Sequence, residues 1–390
     1  MRRTTQAVVI GGGAIGASVC YFLTKLGMKN VVLLNKGGLA SGSTGDSAAI
    51  VRQHYSNEVS IRLVKKSLEI FQGFPDEFDG AEVFTPAGWL FLVPPEAADA
   101  LDDNMARLQA EGVNTWELSV EAAAEDLPGL NTDGIGRVAF EPDSGYADPR
   151  AAVSALVGRA EANGAEIHVD TPATGIESTG ATGSKVRTPN GDIETEVVVN
   201  AAGPWAGEVG RWMGLDLPLE ISREQDIIVR PPADAPPLRR AISNMVDRTY
   251  IRPEATGDIL VGTGHPKENE PADPDSYRRD ASPEFVRETG RLLVHRFPAM
   301  ANAEVIHGWA GLYTITPDWN MIVDRSPVHE GHYLAVGGSG HSFKLAPAIG
   351  LCLAEMIVAG QSSTVDISPL RADRFDRADV LRSTYGGNRA

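Results

Sequence analysis

The chain has only two cysteines in 390 residues, Cys20 and Cys352, and neither sits in a CxxC pair or any metal-like spacing. A disulfide framework and a structural metal centre are therefore not what organises it, and no metal site is expected. Both thiols lie in apolar runs that read as helix and are expected to be buried. A chain of this length can bury a large core without such staples. Positive charge is also scarce: 35 Lys and Arg stand against 52 Asp and Glu, a formal net charge of −17. Nucleic acid and anionic membranes are poor partners for such a surface, because phosphate binding needs clustered Lys and Arg. No apolar run approaches the roughly 18 residues of a membrane span. Met1-Arg2-Arg3 opens like a twin-arginine signal, but the apolar run at residues 7–10 is too short for a signal core, so the chain reads as cytoplasmic. Internal repeats and low-complexity tracts are absent.

What is present is an ordinary globular balance, 42% hydrophobic and 22% charged, in enough chain for two or three domains. Residues 6–10 suit a buried parallel strand, and Gly11-Gly-Gly-Ala-Ile-Gly16 is a turn. Residues 14–26 read as a helix with Val19, Leu23 and Leu26 on one face, closed by Gly27, and residues 31–34 as a second buried strand. This is a βαβ unit of the usual length. A Gly/Ser/Thr-rich loop over 37–46 follows, then a helix over 56–71 with Ser56 as N-cap. Residues 83–140 mix short strands with a polar helix, residues 150–164 form another helix, and residues 196–200 an apolar strand. Residues 218–318 are strand-rich with Pro and Gly turns. The end repeats the opening logic: strand 333–336, glycine turn 337–340 and a helix over 344–359. The polar residues 383–390 are expected to be disordered.

Gly11, Gly13 and Gly16 make a GxGxxG after a strand and at the start of a helix, the context that gives the motif meaning. The first glycine permits the tight turn, the second lets backbone approach a pyrophosphate, and the third lets helix pack on strand, with the helix N-terminus favouring the anion. The residue that ends the second strand is usually acidic and holds the adenosine ribose; here it is Asn35, followed by Lys36. An amide oxygen still accepts from a ribose hydroxyl, more weakly than a carboxylate.

The turn alone does not separate FAD from NAD, but the segments downstream do. Gly42-Ser-Thr-Gly-Asp-Ser-Ala-Ala-Ile-Val-Arg52-Gln-His-Tyr55, Asp143-Ser-Gly-Tyr-Ala-Asp-Pro149, Val197-Val-Val-Asn-Ala-Ala-Gly-Pro-Trp205, Tyr313-Thr-Ile-Thr-Pro-Asp318 and Gly338-Ser-Gly-His-Ser-Phe-Lys-Leu345 occur in that order across nearly the whole chain. Together they resemble the D-amino-acid oxidase superfamily, in its branch of sarcosine oxidase, dimethylglycine oxidase and the proline dehydrogenase β-subunit. The resemblance implies an α/β (α+β) fold: a Rossmann-like FAD-binding domain, residues 1–82, 145–217 and 319–390, interleaved with an antiparallel-sheet substrate domain, residues 83–144 and 218–318.

The resemblance also implies site residues. FAD contacts fall on Gly11, Gly13, Ala14, Ile15 and Gly16, on Asn35 and Lys36, on Ser41, Ser43 and Thr44, on Ala173 and Gly203, and on Gly340, His341, Ser342 and Lys344. Arg52 and Lys344 match residues that hold a substrate carboxylate. A guanidinium suits that task because it forks onto a carboxylate with two parallel bonds. A lysine at a helix N-terminus opposes the dipole, which a nearby anion would explain. Tyr250 and Tyr313 resemble cavity-lining aromatics, the alternative being core tyrosines, and His265 sits near a family histidine, the alternative being a structural or surface one.

Two positions depart from the family. Where relatives bond FAD covalently through a cysteine or a histidine, this chain has Gly311 and Asp46, so noncovalent FAD is expected. Where the oxidase has an oxygen-activating lysine, it has Leu260, which leaves a dehydrogenase reading open. The expected activity is oxidation of the C–N bond of a small secondary or N-methyl amino acid by hydride transfer to flavin, giving an imine that hydrolyses. The alternatives are an amine or proline dehydrogenase subunit with a non-oxygen acceptor, a non-catalytic flavoprotein partner, a nicotinamide dehydrogenase, and a tRNA-modifying flavoenzyme of the same superfamily, which would need a basic face that the charge balance speaks against. Homo-oligomer and subunit of a larger complex are both compatible with the sequence.

Overall fold

The first strand, Thr4–Ile10, lies inside an eight-stranded sheet, between Val31–Leu34 and Ile193–Asn200, and runs parallel to both. Glu166–His168 extends the sheet beyond Val31–Leu34, and His332–Val336 lies parallel beside Ile193–Asn200. Ile322–Arg325 pairs antiparallel with His332–Val336, and Ser184–Arg187 and Gly175–Ser178 form an antiparallel branch. The computed structural model that gives this architecture describes residues 3–264 and 266–385.

The unbroken apolar runs of these strands follow from burial on both faces. Ala7 and Val9 enter a core made with helices Ala14–Lys25, Pro149–Ala162 and Ser342–Ala359. Val8 and Ile10 point the other way, into a core with Val209, Met213 and Val336.

A second eight-stranded sheet has the order Glu304–Ile315, Glu220–Arg230, Ile259–Thr263, Thr249–Pro253, Ala241–Asn244, Trp89–Val93, Arg137–Glu141, Trp116–Leu118. Neighbours are antiparallel except one pair: Ala241–Asn244 runs parallel to Trp89–Val93, the seam where the two inserted stretches meet. A small sheet of Ile50–Val51, Gly145–Ala147 and Phe84–Thr85 also forms.

Several expectations need correction. The second long helix is Glu58–Gln72; its cap is Asn57, whose Oδ1 accepts from the Ser60 amide at 2.9 Å, while the Ser56 hydroxyl is buried without a partner. The strand-rich 218–318 stretch also holds a helix, Pro283–Arg296, with Ser282 as N-cap and proline in the first turn. Ser342–Ala359 is long and apolar enough to cross a membrane, contrary to the sequence reading. It is mostly buried against Ala14–Lys25 and Glu58–Gln72, and a helix covered on several sides is apolar nearly all round. Residues 383–385 pack on the body: the Tyr385 hydroxyl lies 2.7 Å from His54 Nε2, and Thr384 accepts from Arg107. Met1, Arg2, His265 and residues 386–390 lie outside the described residues. Cys20 and Cys352 are buried as expected, and burial pushes the Cys20 thiol up to about 12.

Candidate active site

A cavity of about 1070 Å³ is lined by residues of both large sheets. Every residue expected to touch cofactor or substrate lines it, with two exceptions. His265 is outside the described residues. Gly16 sits behind the turn, where a Cβ would stand 1.8 Å from the Gly11 carbonyl oxygen, so its place is in helix–strand packing.

At one end the glycine turn makes a backbone cradle. Gly11 has φ +122°, and a Cβ there would stand 2.1 Å from the Ala201 carbonyl oxygen, so a side chain is barred by both strain and space. The Ala14 amide, at the helix N-terminus, donates to Thr44 Oγ1 at 3.0 Å. Asn35 serves this cradle first as a brace: its Oδ1 accepts from the Gly12 amide at 2.9 Å, and its amide nitrogen donates to the Gly37 and Gly38 carbonyls at 3.0 and 2.8 Å. One lone pair of Oδ1 is left for a hydroxyl. Lys36 is also engaged, bonded to Asp275 at 2.6 Å and lying 4.3 Å from the Trp205 ring, whose Nε1 donates to the same carboxylate. The cradle, the long cavity and the buried, unpartnered Ser43 hydroxyl fit a dinucleotide such as FAD.

Two cations face the cavity from different elements. Arg52 follows the short strand Ile50–Val51; it donates to the His54 carbonyl and lies 4.9 Å from the Tyr55 ring and 5.8 Å from the Trp89 ring. Lys344 stands in the first turn of Ser342–Ala359 and is 8% exposed. Burial, with Arg52 nearby, holds its ammonium well below the ordinary lysine range. Two cations kept out of water and close enough to repel are costly unless an anion completes the group.

The sequence reading missed two carboxylates that line the cavity with Tyr250 and Tyr313. Glu224 and Asp226 stand two apart on Glu220–Arg230, hence on one face of the strand, and both are buried. Lys267 pairs with Glu224 at 2.6 Å. The Tyr250 hydroxyl donates to Asp226 Oδ1 at 2.7 Å and also bonds Tyr313. Burial pushes the Asp226 carboxyl up to about 7, against the pull of the Tyr250 bond, Lys267 and Arg252. Burial likewise raises Tyr250 and Tyr313 above the ordinary phenol range. The signal for this pair was available: two carboxylates at i and i+2 on a strand bracketed by apolar residues.

Behind Arg52 lies a buried pair. His54 Nδ1 is 3.7 Å from Glu141 Oε1, and Glu141 Oε2 accepts from the Gln53 amide and the Ser144 hydroxyl. Burial lowers His54 to about 3 and raises Glu141 to about 7. The Gln53 bond fixes the backbone that aims Arg52.

The chain as a whole has counterparts among known proteins. FAD-dependent oxidoreductase domain-containing protein 1 of Bos taurus is 27% identical over 95% of this chain and 85% of its own length. The mitochondrial dimethylglycine dehydrogenase of Rattus norvegicus is 27% identical over 98% of this chain, which spans 47% of that longer protein. The crystal structure of L-proline dehydrogenase from P. horikoshii superposes with a TM-score of 0.90 at 28% identity, covering 98% of this chain and all of that one. The sequence also matches the profile of the DAO family, described as FAD dependent oxidoreductase, over residues 6–356, and the chain belongs to that family.

Proposed function

We propose that this flavoenzyme oxidises the C–N bond of a small amino acid whose nitrogen is secondary or N-methylated. The observation that carries this reading is the convergence of Arg52 and Lys344, from two separate elements, on the cavity that also contains the dinucleotide cradle. A carboxylate is the group that completes such a pair. The names of the relatives, dimethylglycine dehydrogenase and L-proline dehydrogenase, point to the same substrate class.

Bound FAD supplies the acceptor for a hydride leaving the carbon next to nitrogen. The chain's own residues do the rest. Arg52 and Lys344 fix the carboxylate, Tyr250 and Tyr313 close the wall around the amine, and the cavity excludes water from the reacting carbon. The imine that results hydrolyses once it reaches water. Leu260, buried where the oxidase has its oxygen-activating lysine, favours an acceptor other than oxygen, and so a dehydrogenase acting alone or as a subunit.

The test is the visible spectrum of the flavin-loaded protein before and after anaerobic addition of sarcosine, dimethylglycine, L-proline and primary amino acids. Bleaching by a secondary or N-methyl amino acid is expected, with slow return of colour in air. A yellow protein that none of them bleaches would overturn the proposal.

A further inference from the structure

Asp226, Gly262 and Tyr250 lie in one row across three adjacent strands: Asp226 pairs with Gly262, and Gly262 with Tyr250. Glycine in a sheet interior weakens it, so its presence marks a close approach. Here a Cβ on Gly262 would stand 2.1 Å from Asp226 Oδ1 and 2.3 Å from the Tyr250 hydroxyl oxygen. The missing side chain is what lets the tyrosine reach across the middle strand to the carboxylate.

The charges around this row are unevenly shared. Glu224, on the same strand, is neutralised by Lys267 at 2.6 Å. From the Thr249–Pro253 strand, Arg252 acts on Asp226 from a distance while its own bonds go to the Ala48 and Pro253 carbonyls and to Glu254. Tyr313, from Glu304–Ile315, bonds Tyr250 and feels Arg52 as well as Glu224 and Asp226. Asp226 is thus a buried carboxylate whose direct partner is a neutral phenol, in a cavity that also holds two cations. A zwitterion has the matching polarity, carboxylate toward Arg52 and Lys344 and ammonium toward Asp226.

We propose that Asp226, coupled to the cavity through Tyr250, binds the substrate's ammonium and takes its proton. This deepens the function proposed above and rests on it. Hydride loss needs the nitrogen lone pair, which the ammonium form lacks. As the Tyr250 oxygen accepts the proton from nitrogen, the phenolic proton moves along the 2.7 Å bond to Asp226 Oδ1. One N–H bond breaks, one O–H bond forms on the carboxylate, and the electron pair stays on nitrogen as the amine becomes neutral. The proton leaves to solvent after product release. A carboxyl near 7 is suited to this exchange at neutral pH.

The experiment compares flavin-loaded wild type with Asp226→Asn, which keeps the shape and a hydrogen-bond partner for Tyr250. Two readouts are needed. The first is the shift of the flavin absorption spectrum on titration with methoxyacetate, a carboxylate with ether oxygen in place of sarcosine's nitrogen. The second is the anaerobic reduction rate against pH, with whichever amino acid bleaches the wild type. Expected are methoxyacetate affinity within about twofold of wild type, a rate at pH 7 lower by about 10²–10⁴-fold, and loss of the limb that rises through pH 7. A retained rate and limb would overturn the proposal, as would an equal loss of methoxyacetate binding. If Asp226→Asn does not hold flavin, Tyr250→Phe decides. It removes the hydroxyl that passes the proton to Asp226, so the rate at pH 7 should fall and the limb that rises through pH 7 should be lost while methoxyacetate still binds; a retained rate and limb overturn the proposal. Failure of the proposed function is a different result, a wild type that no amine bleaches.

Discussion

Asp46 and Gly311 meet at the cavity wall, where a Cβ on Gly311 would stand 2.8 Å from the Asp46 Cβ. These are the two positions to which the family resemblance points for a covalent flavin anchor. Here they oppose each other, a carboxylate whose Oδ2 is buried without a partner and a residue with no side chain. Burial raises the Asp46 carboxyl, against the nearby Arg279 and Arg150. Neither residue is a nucleophile suited to a thioether or histidyl link. Acid precipitation should therefore leave all the flavin in the supernatant, and a yellow pellet would contradict this.

Lys344→Met should separate binding from stability. Replacing a lysine that burial, with Arg52 beside it, disfavours in its charged form removes that cost, so the unfolding free energy should rise by on the order of 2 kcal/mol. Carboxylate affinity should fall by about 2–5 kcal/mol, read by methoxyacetate titration with flavin retained. Lower stability, or unchanged affinity, would remove Lys344 from the anion site.

The depressed Lys344 gives carboxylate binding a pH dependence of definite sign. A lysine that loses its proton below the ordinary range must regain it to hold an anion, so binding takes up a proton. Methoxyacetate affinity should weaken as pH rises above the lowered value, and this trend should vanish in Lys344→Met.

Gly262→Ala should uncouple Tyr250 from Asp226 while leaving the cradle alone. The added methyl has no space, so overpacking should cost about 1–3 kcal/mol, read by urea unfolding. Flavin content should stay near stoichiometric and the reduction rate should fall. A fully active Gly262→Ala protein would show that the row across the three strands is not needed.

Arg374 and Asp318 form a buried bidentate pair, Nε and Nη2 each 2.8 Å from a carboxylate oxygen, with Nη2 also donating to the Asn320 carbonyl at 2.7 Å. Arg374→Met should cost about 3–5 kcal/mol. Burial pushes the Asp318 carboxyl up, but Arg374 and the Leu381 and Asn320 amides outweigh it and hold it below the usual range. The pair's contribution should be complete above the unfolded carboxyl's value of about 4 and vanish as pH falls through the lower folded value. Urea unfolding at a series of pH values, with and without the substitution, checks this.

What could be read from the sequence was local or carried by a motif. The strand–glycine turn–helix unit is written in contiguous residues, and Arg52 and Lys344 sit in recognisable segments. Asp226 was hidden because its meaning depends on Tyr250, 24 residues away, and on the absence of a side chain at Gly262 between them. The helix Pro283–Arg296 was hidden for another reason: only Thr289, Leu293 and Arg296 of it are buried, too few to print a 3.6-residue period on a charged stretch. Asn35 looked like a weak ribose ligand because the sequence does not show that its amide first ties Gly12 to Gly37 and Gly38.

The strand His332–Val336 lies directly beside Ile193–Asn200, although the whole Glu220–Ile315 portion of the second sheet separates them along the chain. Synthesis runs from one end to the other, so the ribosome releases the glycine cradle long before the strand and helix that complete the cofactor's surroundings. Until then the edge of Ile193–Asn200 at Val198, Val199 and Asn200, beyond its pairing with Ser184–Arg187, is bare, a template for pairing with other nascent chains. Flavin capture is thus expected to come late, tied to chain completion. Ribosome-arrested chains ending before residue 332 should remain colourless in excess FAD, whereas those extending past residue 359, once clear of the exit tunnel, should hold it.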